Sequence, residues 1–260
     1  MKNIPLKVKL SINSVLRKPV RSTLQLLFVI VIIMTPSLLF GQNYHFDRIS
    51  EREGLSKRTI TCGLQGQNGF MWFGTEDGLL QYDGYSFKEF VFNPDDPNSL
   101  SSNLIYSLLE DRNGILWIGT VGGGLNRFNP ETGVFTRFQH DPNNPLSLSH
   151  NGVISLFEDS IGRIWVGTEG GGLNLFDPLG HIFIHFIHNP EYPDSISFNS
   201  MWHLNEDEDG NIWISTHGGG LNILDPDTGI FTHYRHDPED PTSISSDVVG
   251  PVFRDSKGNT

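Results

Sequence analysis

The chain has 260 residues, with 18 basic and 30 acidic side chains and a formal net charge of −12. An acidic balance of this size argues against binding nucleic acid by neutralising phosphates, so no nucleic-acid partner is expected. The single cysteine, Cys62, excludes an intramolecular disulfide framework and a zinc site built from cysteines. A hydrophobic content of 37% is compatible with a folded domain rather than a wholly disordered chain.

The first 43 residues combine a basic start with a short apolar run. Six basic and no acidic residues precede position 24, and the nine-residue apolar centre Leu26–Met34 follows. Such a run is too short to cross a bilayer about 30 Å thick as a helix, whereas a basic region before it is typical of a secretory signal. Residues 1–43 are predicted to be a signal peptide or, as the alternative, a helical N-terminal membrane anchor. Either form predicts an exported chain on the periplasmic side of the inner membrane.

The rest of the chain is a tandem repeat that is marked by tryptophan. Four tryptophans, spaced 45, 48 and 48 residues apart, stand in the phrases GFMWFGT, GILWIGT, GRIWVGT and GNIWIST. Three repeats continue with GGGLN, and a serine lies sixteen residues before each tryptophan. The repeated positions are Trp72, Trp117, Trp165 and Trp213, the glycines Gly124, Gly172 and Gly220, and the serines Ser56, Ser101, Ser149 and Ser197.

Each repeat divides into four short apolar runs bounded by Gly, Asn, Asp and Pro, which indicates four strands. A period of about 40–50 residues with four strands is typical of a β-propeller blade, whereas the competing β-solenoid has shorter coils. The predicted fold is all-β, a propeller of four-stranded antiparallel blades. Blades are expected at 58–93, 103–140, 151–188 and 199–236, with a stray strand at 44–50 and the first strand of a further blade at 247–254.

Residues 44–260 are therefore predicted to be an incomplete propeller, about four and a half blades of a ring with about seven. In the third repeat the strands are expected at Gly152–Glu158, Arg163–Thr168, Leu173–Phe176 and Ile182–His188. The recurring tryptophan is expected to fill the wedge between neighbouring blades, because its side chain buries a large area. The last glycine of GGGLN is expected to supply a positive φ or a close backbone approach.

Three motifs together resemble those of a known repeat family. The second repeat reads EDRNGILWIGT at 110–120, GGGLN at 122–126 and TGVF at 132–135. This combination resembles the two-component regulator propeller repeat, and the resemblance covers residues 44–260. It implies the N-terminal periplasmic sensor part of a hybrid two-component histidine kinase of the Bacteroidetes type, truncated before the kinase. It further implies an oligosaccharide ligand, association with the inner membrane, and a homodimer of the full-length protein.

Two groups of residues invite a metal assignment but fit structural positions better. Asn205–Gly210 resembles the start of a calcium loop, yet Thr216 stands where that loop needs a glutamate, so a strand-connecting turn is predicted. His181, His185 and His188 share one outer segment, but His188 recurs at the same position in other repeats, which favours a corner role. No metal site and no cofactor are expected.

Catalysis is not expected in this segment. Asp111, Asp159, Asp207 and Asp255 recur in register from repeat to repeat. A residue that is present in every blade is normally part of the scaffold, because a catalytic group is needed only once. No catalytic residue is therefore assigned.

Positions that differ between blades, on the face with the crossing loops, are the candidates for ligand binding. Aromatic side chains beside asparagine, arginine and carboxylates suit a sugar, which offers a flat apolar face and hydroxyl groups. The predicted ligand-binding residues are Arg58, Glu76, Asp77, Asn103, Tyr106, Asn151, Glu169, Asn199, Trp202 and His217.

The sequence thus predicts an extracytoplasmic sensing and signal-transduction propeller that responds to an oligosaccharide. Two alternatives from other classes stay open. One is a secreted propeller hydrolase or lyase that acts on polysaccharide, and the other is a structural adhesion propeller.

Overall fold

A computed structural model describes residues 58–253. They form four antiparallel sheets of four strands each, and within every sheet the strands pair in chain order. Blade 1 contains β1 (Ile60–Gln65), β2 (Met71–Thr75), β3 (Gly78–Tyr82) and β4 (Phe87–Phe90), and blade 2 contains β5 (Ile105–Glu110), β6 (Leu116–Thr120), β7 (Gly124–Asn129) and β8 (Val134–Phe138). Blade 3 contains β9 (Val153–Glu158), β10 (Ile164–Thr168), β11 (Leu173–Asp177) and β12 (Ile182–Phe186), and blade 4 contains β13 (Met201–Glu206), β14 (Ile212–Thr216), β15 (Leu221–Asp225) and β16 (Ile230–Tyr234).

The all-β fold with four-stranded antiparallel blades is confirmed. The predicted signal or anchor segment at 1–43 and the predicted stray strand at 44–50 lie outside the described residues. Within residues 58–253, no helix is long and apolar enough to cross a membrane.

The first strand of the further blade expected at 247–254 lies partly outside the described residues and stays a prediction. Within the described residues, Val248 forms a bridge with His217 of blade 4.

Consecutive blades pack side by side through their first strands. β5 contacts both β1 and β9, and β9 contacts β13, so the first strands are neighbours. The second strands β2, β6 and β10 also pack against the first strand of the following blade. Both faces of a blade therefore need apolar side chains, which explains continuous apolar runs rather than alternation.

The repeated tryptophan lies in the wedge between two blades. Trp72 packs with Ile105 and Phe128 of blade 2, and its ring meets that of Phe128 edge-on with centroids 5.9 Å apart. Trp165 is fully buried and belongs to one cluster with Ile212 of blade 4. Trp213, in the last described blade, is only half-buried. The burial of each tryptophan thus depends on the blade that follows it.

The glycine of the WxGT phrase is required by close packing between blades. A Cβ placed on Gly119 would lie 2.6 Å from Val153 Cγ1 and 2.9 Å from the Val153 carbonyl oxygen, both on the next blade. Val153 begins β9, which leaves the backbone little room to move. Gly63, on a first strand, has no such neighbour, because its nearest contact would be Phe73 Cδ1 at 3.6 Å.

We predict that Gly119→Ala destabilises the chain by about 1–3 kcal/mol, because the added methyl group overpacks the boundary between blades 2 and 3. Gly63→Ala is the matched control and should leave stability unchanged or slightly raised. The free energy of unfolding from urea titration measures both. Equal stability of the two variants would show that blades 2 and 3 do not pack as closely as described.

Candidate functional site

A cleft lies where the first strands of blades 2, 3 and 4 meet the loops that follow the second strands. Its volume is about 240 Å³, and we call it the axial cleft. It is lined by Tyr106, Ile154, Glu169, Ser200, Met201, Trp202 and His217.

β-Bulges turn three of these side chains into the cleft. The register of β5 against β6 shifts between Ile105 and Ser107, so Tyr106 is left out of the ladder. The same shift in β13 leaves out Trp202, and in β9 it leaves out Ile154. Because a bulge frees one residue from the alternation of the strand, these side chains are re-aimed. Tyr106 and Trp202 are 45% and 41% exposed, large fractions for aromatic side chains on an inner strand.

The wall of the cleft in blade 4 is an aromatic stack. The rings of Trp202 and His217 are 5.1 Å apart between centroids and inclined by 16°. The His217 backbone N–H donates to the Ser200 carbonyl oxygen at 3.0 Å, which fixes the loop against the first strand of its own blade. In blade 3 the Glu169 backbone N–H donates to Gly152 in the same way, at 2.9 Å. The loop that carries the polar side chains of the cleft is thus held by main-chain bonds.

The predicted asparagines have a structural partner. Asn103 Oδ1 accepts a hydrogen bond from the Phe92 N–H at 2.6 Å, which closes the loop from blade 1 to blade 2. Asn151, Asn199 and Asp247 make the same bond at 2.7 Å with the backbone N–H eleven residues earlier, at His140, His188 and His236 respectively. Each of these side-chain oxygens closes a loop between blades, which explains why Asn or Asp recurs at this position of the repeat. A role in ligand binding stays a prediction for them.

Blade 1 places its candidates apart from the axial cleft. The Arg58 guanidinium forms a salt bridge of 2.5 Å with Glu89 of the same blade. Glu76, at the repeat position of Glu169, and the next residue Asp77 are exposed in the loop between β2 and β3. The structure therefore brings together Tyr106, Glu169, Trp202 and His217 out of the ten predicted residues.

Sequence reasoning missed Ser200 and Met201 as cleft residues. Both precede the bulge residue Trp202 directly, and Ser200 is held by its bond to the loop in blade 4. Only the three-dimensional contact reveals them, because neither residue type stands out within the repeat.

The recurring aspartates are bound to the recurring tryptophans. Asp159 Oδ2 accepts from Trp165 Nε1 at 2.9 Å, while its Oδ1 accepts from the backbone N–H groups of Ile161 and Arg163. Burial alone would raise the pKa of Asp159, but the bonds from Trp165 and Arg163 outweigh it and hold the pKa below its ordinary value. Equivalent bonds to tryptophan are made by Asp111 and Asp207. These carboxylates therefore anchor tryptophans in each of blades 2–4.

The histidines considered as metal ligands also have structural partners. His188 Nδ1 donates to the Ile196 carbonyl oxygen at 2.8 Å, and His185 Nε2 donates to that of Ser147 at 2.7 Å. In the calcium-like segment Asp207 Oδ1 accepts from the N–H groups of Asp209 and Asn211, as a strand-connecting turn requires. Among residues 58–253, no group of three or more His, Cys, Asp or Glu could hold a metal ion.

Comparison with known proteins identifies the repeat. Three segments, residues 99–122, 147–170 and 195–218, match the two-component regulator propeller family. The chain carries two-component regulator propeller repeats. Every residue of the axial cleft lies within one of the matched segments of this regulator propeller.

Relatives of this regulator propeller come from sensor systems and from other propellers. The extracellular domain assigned to the hybrid two-component system BT3049 of B. thetaiotaomicron is 29% identical with a TM-score of 0.66, over 73% of this chain and 26% of that domain. Histidine kinase P4 of Formosa agariphila is 36% identical over 61 residues, which is 24% of this chain and 4% of the kinase. The chain thus spans a small part of both. Virginiamycin B lyase from Staphylococcus aureus, at 16% identity and a TM-score of 0.50 over 68% of this chain and 55% of the lyase, shares the fold alone.

We predict that Asn151→Leu destabilises the regulator propeller by about 1–2 kcal/mol, because the His140 N–H loses its acceptor. Asn151→Asp keeps an acceptor oxygen, as Asp247 does in the same register, and should stay close to wild type. Thermal unfolding distinguishes the two. If Asn151→Leu were as stable as wild type, the side-chain oxygen at this repeat position would not contribute to closing the loop.

Stability should also depend on the charge of Asp159. Because its folded-state pKa is lowered, its contribution is present above the ordinary value of 3.8 and is lost as pH falls through the folded-state pKa. We predict that Asp159→Asn is less stable than wild type at neutral pH and that this gap narrows as the pH falls below the ordinary value of 3.8 and through the lowered folded-state pKa. Urea unfolding over that range measures the gap. A gap that does not change with pH would contradict the lowered pKa.

Proposed function

We propose that residues 44–260 form the ligand-sensing propeller of a two-component regulatory system and that the axial cleft binds an oligosaccharide. The observation that carries the proposal is the exposed stack of Trp202 and His217 beside Tyr106 and Glu169 in one cleft.

The chemistry of the cleft suits a pyranose ring. The flat apolar face of a sugar packs on an indole, and the stack with His217 holds that indole in one orientation. The Tyr106 and Ser200 hydroxyls can donate or accept hydrogen bonds, and the Glu169 carboxylate can accept them from sugar hydroxyls. An apolar platform with a few convergent polar groups is the usual composition of a small-molecule site.

The side chain at the bulge position differs from blade to blade, which supports a binding role there rather than a structural one. The four bulge residues are Thr61, Tyr106, Ile154 and Trp202, so the backbone feature is constant while the side chain changes. A scaffold position keeps its residue type, as the tryptophan and its aspartate do in blades 2–4. The cleft therefore combines a constant backbone with side chains that are specific to each blade.

Binding and signalling, rather than catalysis, is the role that we propose for this segment. The recurring carboxylates Asp111, Asp159 and Asp207 are bound to indole and backbone N–H groups. Ligand in the axial cleft would favour one arrangement of the propeller over another and so bias a downstream kinase. We further propose a homodimer of the full-length protein as the unit that receives this bias.

An extracytoplasmic location on the periplasmic side of the inner membrane forms part of the same proposal. It is supported by the basic and apolar pattern of residues 1–43 and by the similarity to an extracellular domain of a hybrid two-component system. The coding sequence beyond position 260 provides a direct test. A second apolar span followed by a histidine kinase domain supports the proposal, and a stop codon after a few further blades contradicts it.

We predict that Trp202→Ile weakens oligosaccharide binding by about tenfold or more, because the aromatic platform is lost. Isothermal titration calorimetry of the full chain with short neutral oligosaccharides from β-glucan, xylan and mannan measures the affinity. Isoleucine is the residue that blade 3 carries at the same bulge, so the variant should retain its melting temperature.

Tyr85→Ala is the matched control, since Tyr85 is an aromatic residue with 88% exposure outside the axial cleft. Its affinity should equal that of wild type. Binding that survives Trp202→Ile unchanged, or the failure of all three glycan classes to bind, contradicts the proposed site.

A further inference from the structure

A second and larger cavity lies between blades 2 and 3, on the side of the turns that join first to second and third to fourth strands. Its volume is about 470 Å³, within the usual range for small-molecule sites. Its apolar wall includes Ile115 and Phe176, and its polar groups include Arg127 and His181. We call it the inter-blade cavity.

Among the four described blades, an arginine at the position of Arg127 is specific to blade 2. Arg127 faces Trp117 across the ladder, where the other three blades carry Gln81, Leu175 and Ile223. Since this arginine does not belong to the repeat pattern, the scaffold does not require it.

The boundary between blades 1 and 2 shows the contrast. The corresponding cavity there is about 150 Å³, and its charged groups are the carboxylates Glu110 and Glu131. The same place in the fold is thus small and acidic at one boundary, and larger and lined by an arginine and a histidine at the next.

Hydrogen-bond donors remain available in the inter-blade cavity after the protein's own bonds are made. The carboxylate of Asp111, which also lines the cavity, already accepts from the N–H groups of Asn113 and Ile115 and from Trp117 Nε1. The salt bridges between described residues use Arg58, Arg112 and Arg163, which leaves Arg127 without a carboxylate partner among residues 58–253. Arg163 does not add to these donors, because its guanidinium bonds to Asp159 through Nε and lies over the Trp165 ring, which packs towards blade 4.

His181 lines the same cavity in a strained backbone conformation. Its φ is +53°, and it is the one residue other than glycine with positive φ in the described part of the chain. Blades 2 and 4 place Gly133 and Gly229 at the same turn position, with φ of +72° and +76°. The His181 ring stacks on Phe176, with centroids 6.2 Å apart and an angle of 19°. A strained residue where glycine would serve indicates that the side chain itself is needed there.

We propose that the inter-blade cavity binds an organic anion. The carboxylate or sulfate group of the ligand pairs with the guanidinium group of Arg127, whose N–H donors can bond to two oxygens of either anion. The body of the ligand packs on Ile115 and on the stack of Phe176 and His181. This site is separate from the axial cleft and does not rest on the function proposed for that cleft.

Calorimetry of the full chain with three organic probes and one inorganic probe tests the proposal. The probes are digalacturonate, a sulfated disaccharide, a neutral disaccharide of the same size, and inorganic sulfate. We expect one or both of the organic anions to bind, the neutral disaccharide not to bind, and inorganic sulfate to bind more weakly. Arg127→Gln, which introduces the residue of blade 1, should weaken binding of the organic anion by about tenfold or more.

His181→Gly separates a binding role from a structural one. Because glycine adopts positive φ without strain, this variant should melt at a higher temperature than wild type and yet bind the organic anion less tightly. Arg235→Gln, an exposed arginine outside the cavity, makes the same change in charge and should bind as wild type does. Trp202→Ile should also leave anion binding unchanged.

Three results would overturn the proposal. The first is that neither organic anion binds at millimolar concentration. The second is equal affinity of wild type and Arg127→Gln for the anion. The third is inorganic sulfate binding as tightly as the organic anions, which would show that the apolar wall contributes nothing.

Discussion

A single blade cannot cover both of its own faces, and the rest of the structure depends on how neighbouring blades cover them. The wedge between two blades is filled by a tryptophan whose indole N–H is fixed by an aspartate of the same blade. A fully buried tryptophan removes ~150–250 Å² from water, which at ~25 cal/mol per Å² amounts to several kcal/mol. Trp165 is fully buried between blades 3 and 4, whereas Trp213 is only half-buried. The stability of each blade is therefore shared with the blade after it.

This constraint separates the residues into two kinds. Residues that hold one blade to the next recur: the tryptophan in all four blades, its aspartate in blades 2–4, and the glycine two residues after the tryptophan in blades 1–3. Residues outside these contacts are free to vary, and they do so at the bulges and at the turn-side boundary of blades 2 and 3. Both the axial cleft and the inter-blade cavity contain such varying residues.

Much of the fold could be predicted from the sequence because each residue type that recurs from blade to blade has a single physical role. The tryptophan spacing gave the blades, and in the third repeat the observed strands β9 to β12 lie within two residues of the predicted ends. The last glycine of GGGLN shows both expected properties at Gly124, which has φ of +82° and lies against the Phe138 carbonyl oxygen. Local patterns of this kind do not depend on distant parts of the chain.

The sites were only partly predictable, because a repeated residue type does not reveal its partner. Asn151 and Trp202 both lie near the crossing loops, yet the oxygen of Asn151 closes its own loop while Trp202 is turned into the cleft by a bulge. A bulge changes the direction of a side chain without leaving a mark in the composition of the strand. The meeting of Arg127 with His181 likewise arises only when blades 2 and 3 are packed together.

Binding in the axial cleft requires that the side chains at the bulges of blades 2 and 4 contact the ligand. A crystal structure of the chain with a bound oligosaccharide shows whether they do. We expect a pyranose ring stacked on the Trp202 indole, with the Tyr106 hydroxyl and the Glu169 carboxylate within hydrogen-bond distance of its hydroxyl groups. An oligosaccharide bound through the loop-closing asparagines Asn103, Asn151 and Asn199, away from Trp202, would contradict it.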